Sequence, residues 1–165
     1  MRFTIEQHFD APLDAVEAAY TDLAFLEKLS TLPKLGRPTL LRREEDGDIV
    51  RQAVQYRFTG EVNAAVRKVV DPARLTWVEE SSHDRATHTT TWHIVPDHYR
   101  QLLRASGTFL LEPDGGAGTR RITEAELKVS VPLLGGKVEH AIVSGLREHA
   151  DAEAGAMRDF LTTGP

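Results

Sequence analysis

The sequence predicts an α+β domain in which a long C-terminal helix packs across a curved, seven-stranded antiparallel sheet, with two short helices after the first strand. Three observations carry this. Most of the chain from residue 37 to 131 alternates apolar and polar with a period of two. Short turns rich in Gly and Asp separate the alternating stretches. After Pro132 the period becomes that of a helix and stays so almost to the end.

Residues 2–10 place Phe3, Ile5 and Phe9 on one face and Arg2, Thr4, Glu6 and His8 on the other, a half-buried strand. Asp10-Ala11-Pro12 reads as a helix start, followed by Leu13, Val16, Ala19 and Tyr20 at helical spacing. Asp22 restarts a short helix through Phe25, Leu26 and Leu29, and Pro33, Gly36 and Pro38 end it. Strands at 37–45 and 48–59 flank the turn Asp46-Gly47-Asp48, with Val50, Val54, Tyr56 and Phe58 on one face. Ala64, Ala65 and Val69 fit one turn of helix before Asp71-Pro72. Leu75 and Trp77 open the next strand, and residues 86–95 carry Trp92 and Ile94 on one face. Residues 102–112 align Leu103, Ala105, Phe109 and Leu111; after Pro113-Asp114-Gly115-Gly116, residues 119–131 align Ala125, Leu127, Val129 and Val131. Residues 135–161 form roughly seven turns of helix. Such short connections make the strands an antiparallel meander, and only the terminal helix is long enough to cover its apolar face.

At 165 residues, with no linker, repeat or low-complexity segment, the chain reads as one domain spanning 1–165. Net charge is −5 and no basic run exceeds Arg42-Arg43 or Arg120-Arg121, which weighs against nucleic acid and against anionic membrane surfaces. The absence of cysteine excludes disulfides, thiolate metal sites and a cysteine nucleophile. No apolar stretch approaches the ~20 residues of a spanning helix, and Met1–Glu6 lacks the apolar core of a signal peptide. The expectation is a cytoplasmic protein without integral membrane association; no feature sets its oligomeric state.

Three segments carry a family resemblance. They are Phe9-Asp10-Ala11-Pro12 with Val16 and Asp22; the break from last strand to terminal helix, Val131 to Glu139; and the helix itself, ending in Met157, Phe160 and Leu161. Over essentially the whole chain these resemble the START-like (SRPBCC) superfamily with its helix-grip fold, most closely an actinobacterial branch. The resemblance implies a cavity between sheet and helix, where relatives bind lipids, sterols, polyketides, plant hormones or aromatic metabolites. A minority are cyclases, aromatases or hydroxylase components. None of their catalytic motifs can be placed here, so no catalytic residue and no cofactor is carried over.

On the terminal helix, Val138, Ile142, Leu146, Ala156 and Phe160 fall on one line, and His149 and Glu153 fall on it too. The two polar residues therefore point toward the sheet, where a carboxylate needs a partner. They serve as a ligand anchor, as an acid/base pair, or merely pair with each other or with a polar residue of the sheet. Tyr56, Phe58, Trp77, Trp92 and Phe109 either line a cavity with flat apolar walls or pack as ordinary core; Gln7, Gln52 and Glu79 favour a partly wet interior. The candidate ligand contacts are those five aromatics with Ile142, His149, Glu153 and Ala156.

A metal is not expected. His83, His88, His93 and His98 are five apart, and an odd spacing on strands alternates faces and keeps them from forming one cluster. Gly115-Gly116-Ala117-Gly118 lacks the Lys-Ser/Thr of a phosphate loop, and no serine has a Gly-x-Ser-x-Gly setting. The leading expectation is binding of a small hydrophobic or amphipathic molecule. A polyketide cyclase or aromatase-like enzyme and a protein-interaction domain with a filled core are the alternatives.

Overall fold

The computed structural model describes residues 1–163 except Asn63 and Val69, and of Ala65 the backbone only. Strand β1 (Arg2–Phe9) leads into α1 (Leu13–Tyr20) and α2 (Leu23–Lys28). Strands β2 (Thr39–Asp46) and β3 (Ile49–Arg57) follow, then the short helix α3 (Ala64–Arg67). Strands β4 (Thr76–Asp84), β5 (Thr89–Pro96), β6 (Leu103–Pro113) and β7 (Thr119–Val129) precede the 29-residue helix α4 (Gly135–Thr163). The seven strands form one antiparallel sheet in the order β1-β7-β6-β5-β4-β3-β2, a meander whose last strand pairs with its first. This is the helix-grip arrangement expected from the period change.

Local chemistry accounts for most boundaries. Asp22 caps α2, its side chain accepting from Ala24 N. Asp10 does not cap α1: Pro12 holds the cap position and makes no side-chain bond, its fixed φ being preorganised for the first turn. The turn of helix expected near Ala64 is α3; Val69, assigned to the same turn, lies outside the described residues. Before α4, Leu133 takes a left-handed φ of 63° and is fully exposed. Gly135 then lets the helix start beneath β7, because a Cβ there would lie 2.4 Å from the Val129 carbonyl oxygen.

Helix α4 packs on β1 and β7 and against α1 and α2. At one end, Phe9, Val16, Ala19, Phe25, Leu32, Leu111, Ala156, Met157 and Phe160 form a closed core. The buried face of α4 is not the line through Val138, Ile142 and Leu146. In its first half Glu139 and Val143 turn inward, and Leu146 is 38% exposed. The reason is polar: Glu139 accepts from Val129 N at 2.8 Å and pairs with the N-terminal amine at 3.6 Å, pinning the helix start to β7 and β1. Both interactions hold its carboxyl below the usual range despite some burial.

Candidate functional site

The register places the inner face of the sheet. Val50, Gln52, Val54 and Tyr56 on β3 lie opposite His83, Ser81, Glu79 and Trp77 on β4. These in turn face Thr90, Trp92, Ile94 and Pro96 on β5. At the closed end Val50, His83 and Thr90 are buried. Toward the other end Tyr56, Trp77, Glu79, Trp92 and Ile94 are only half-buried, since α4 packs over β1 and β7 rather than over β3, β4 and β5. This leaves an aromatic half of the inner face, the trough, only partly covered.

Trp77 and Tyr56 stack, with centroids 5.9 Å apart and planes 21° from parallel. Trp92 faces Gly107 of β6, where a Cβ would come within 2.9 Å of the indole. Phe109 lies deeper, 5.6 Å from the Tyr20 ring. Phe58 lies just past β3, bridging to Leu35, with its ring over Gly60. Ile142 is half-buried on α4. Ala156 belongs to the closed core, so a larger side chain there would strain the core rather than fill the trough.

The polar floor centres on Arg121 of β7, a residue that the sequence pattern hides in a surface-like Arg120-Arg121 pair. Arg121 is 8% exposed and its guanidinium forks onto Glu153, through Nη2 to Oε2 and Nη1 to Oε1 at 3.5 Å. Its Nε donates to Gln7 Oε1 at 2.6 Å, while Gln7 Nε2 donates to the Ala150 carbonyl at 2.6 Å and to Glu153 at 3.3 Å. The rings of Tyr20, Phe109 and Phe9 pack on the guanidinium, 4.6, 5.1 and 6.0 Å from its carbon. Burial alone would raise the Glu153 carboxyl, but the guanidinium outweighs it and holds that carboxyl below the ordinary range. Glu153 thus pairs with a polar residue of the sheet. It makes no hydrogen bond to His149, whose buried Nδ1 has no partner and whose pKa burial lowers. Tyr20 Oη is also unbonded, close enough to Glu153 to feel its charge yet outside hydrogen-bond geometry; burial chiefly raises its pKa.

Glu79 differs from Glu153. It is on the inner face, no side chain among the described residues bonds it, and burial, helped by the charge of Glu153, pushes its carboxyl up to about 7. Tyr56 feels both carboxylates and, mainly through burial, is also raised. Two titratable groups of opposite tuning, Glu79 and Glu153, therefore share one interior.

A second polar cluster brings together two of the four spaced histidines, while His93 pairs with Glu80 and His98 with Arg74. One oxygen of Glu17 on α1 accepts from His83 Nε2 and from His88 Nδ1, each at 2.9 Å, and His83 Nδ1 meets Thr90 Oγ1 at 2.8 Å. Strand alternation does not govern His88, which occupies the β4–β5 turn with φ of 55°. Among the described residues no group of three or more His, Asp or Glu is arranged to hold a metal ion.

The profile of the family described as "Protein of unknown function (DUF2505)" matches residues 4–161. The chain belongs to DUF2505. No curated protein matches this DUF2505 chain. Among solved structures it is similar to TTHA0849 from Thermus thermophilus, with TM-score 0.69 and 17% identity over 99% of this chain and 98% of that one. It is also similar to the Zhui aromatase/cyclase from Streptomyces sp. R1128, with TM-score 0.66 and 14% identity over 98% and 93%. Norcoclaurine synthase from Thalictrum flavum gives TM-score 0.65 and 16% identity over 98% and 86%. At such identities the likeness establishes the fold alone, the helix-grip arrangement of sheet and long C-terminal helix. No helix among the described residues is long and apolar enough to cross a membrane.

Proposed function

We propose that this DUF2505 domain, acting in the cytoplasm, binds a small hydrophobic or amphipathic molecule, such as a lipid, polyketide or aromatic metabolite, in the trough between β3–β5 and α4. One observation carries the reading: Tyr56, Trp77 and Trp92 stand on the inner face of the sheet, yet solvent reaches them. Large aromatics left uncovered beside a few convergent polar groups are the usual make-up of a ligand site. The same observation weighs against a filled-core interaction domain. Displacement of a fluorescent hydrophobic probe by fatty acids, polyketides and aromatic amines or acids tests it. Saturable one-to-one binding that raises the melting temperature supports the reading. A cooperatively folded protein that binds none of them would refute it.

A second reading, cyclase- or aromatase-like catalysis, rests on Glu79. A carboxyl titrating near 7 in an interior that also holds an unbonded imidazole is suited to moving protons at neutral pH. Glu153 cannot orient His149 as a base while Arg121 and Gln7 hold it. On this reading Glu79→Gln abolishes turnover of a ligand found by displacement; undiminished turnover in that variant would remove it.

A further inference from the structure

The trough wall holds one carboxylate without a counter-ion. On the inner face Glu79 is flanked along β4 by Trp77 and Ser81, and Val54 and Ile94 lie directly across from it. Its diagonal neighbours are Tyr56 and Gln52 on β3 and Trp92 and Pro96 on β5, within reach of large side chains. Three aromatic residues, Trp77, Tyr56 and Trp92, thus stand among its nearest neighbours on this face. The charged and titratable groups that interact with it are Arg121 of β7, Glu153 of α4 and Tyr56 of β3, while His149 of α4 and Tyr20 of α1 lie beside Arg121 and Glu153 in the same interior. Arg121 is committed to Glu153 and Gln7. Burial keeps His149 neutral, and both tyrosines keep their protons. Nothing cationic among the described residues is left for Glu79.

A carboxylate with aromatic residues beside it is the complement of an organic cation: the charge pairs with the carboxylate and ring faces attract the ammonium. We propose that the trough takes a ligand bearing a protonated amine on an aromatic body, with Glu79 as its counter-ion and Tyr56, Trp77 and Trp92 as the surrounding rings. This rests on the trough being the ligand site.

Tryptamine and indole-3-ethanol differ only in ammonium against hydroxyl and make the test. By calorimetry at about pH 8, tryptamine should bind wild-type protein about tenfold more tightly. In Glu79→Gln the two should bind alike. At about pH 6 the wild type should release close to one proton per tryptamine bound, read from heats in buffers of different ionisation enthalpy. That count needs no variant. Equal affinities in the wild type, a preference that survives Glu79→Gln, or no proton release would overturn the amine assignment and leave the trough standing. Binding of neither compound by the folded protein would overturn both.

Discussion

Glu79→Gln should change the stability of the fold in a pH-dependent way whose size follows from the site. A carboxyl that titrates at about 7 in the folded chain and at its ordinary 4.5 in the unfolded chain opposes folding, once ionised, by about 3 kcal/mol. Below pH 4.5 both states keep the proton and there is no penalty. Between 4.5 and about 7 the unfolded chain sheds its proton first, so stability falls as pH rises; above that window the penalty is constant. The His149 imidazole, which burial shifts down from its ordinary value, is present in both proteins and cancels to first order in their difference. Urea unfolding at about pH 4, 6 and 8 measures that difference. The variant should gain up to about 3 kcal/mol on the wild type between the lowest and highest pH. Parallel profiles would refute the reasoning, since they would mean that water in the trough solvates the carboxylate as well as bulk does.

Three further outcomes are expected. Arg121→Met strands Glu153 in the interior and should cost about 3–5 kcal/mol, whereas Arg121→Met with Glu153→Leu should recover most of it, as thermal melts of both will show. Glu17→Ala removes the oxygen shared by His83 and His88. It should cost about 1–3 kcal/mol and speed amide exchange in the β4–β5 turn. Gly107→Ala sets a Cβ 2.5 Å from the Glu124 carbonyl and 2.9 Å from the Trp92 ring. It should destabilise by about 1–3 kcal/mol and shift the tryptophan emission.

Parity made much of this legible in advance. Period-two runs placed Tyr56, Trp77, Trp92 and Phe109 on strands, and Asp22 marked its helix start unaided. Glu79 and Gln7 stood out because a packed interior seldom carries such residues. Arg121 has the same parity as Ala125 and Leu127, which would have turned it inward. Next to Arg120 it reads as surface charge, and only tertiary structure shows the Glu153 carboxylate that makes its burial tolerable. The phase of α4 was misleading for a related reason: apolar spacing favours Ile142 and Leu146, but Glu139 satisfies the Val129 amide and the chain terminus and rotates the helix start toward them. Sequence pattern reports which residues avoid water. It does not report which buried polar groups have found each other.

The two ends of the interior answer to different selection. Substitutions among Phe9, Val16, Phe25, Met157 and Phe160 threaten folding itself, because these side chains have no freedom to relocate. Positions 56, 77, 79 and 92 are only partly covered, so a new side chain there disturbs the scaffold less. The half-covered end can therefore change residue by residue while the closed core keeps the chain folded throughout.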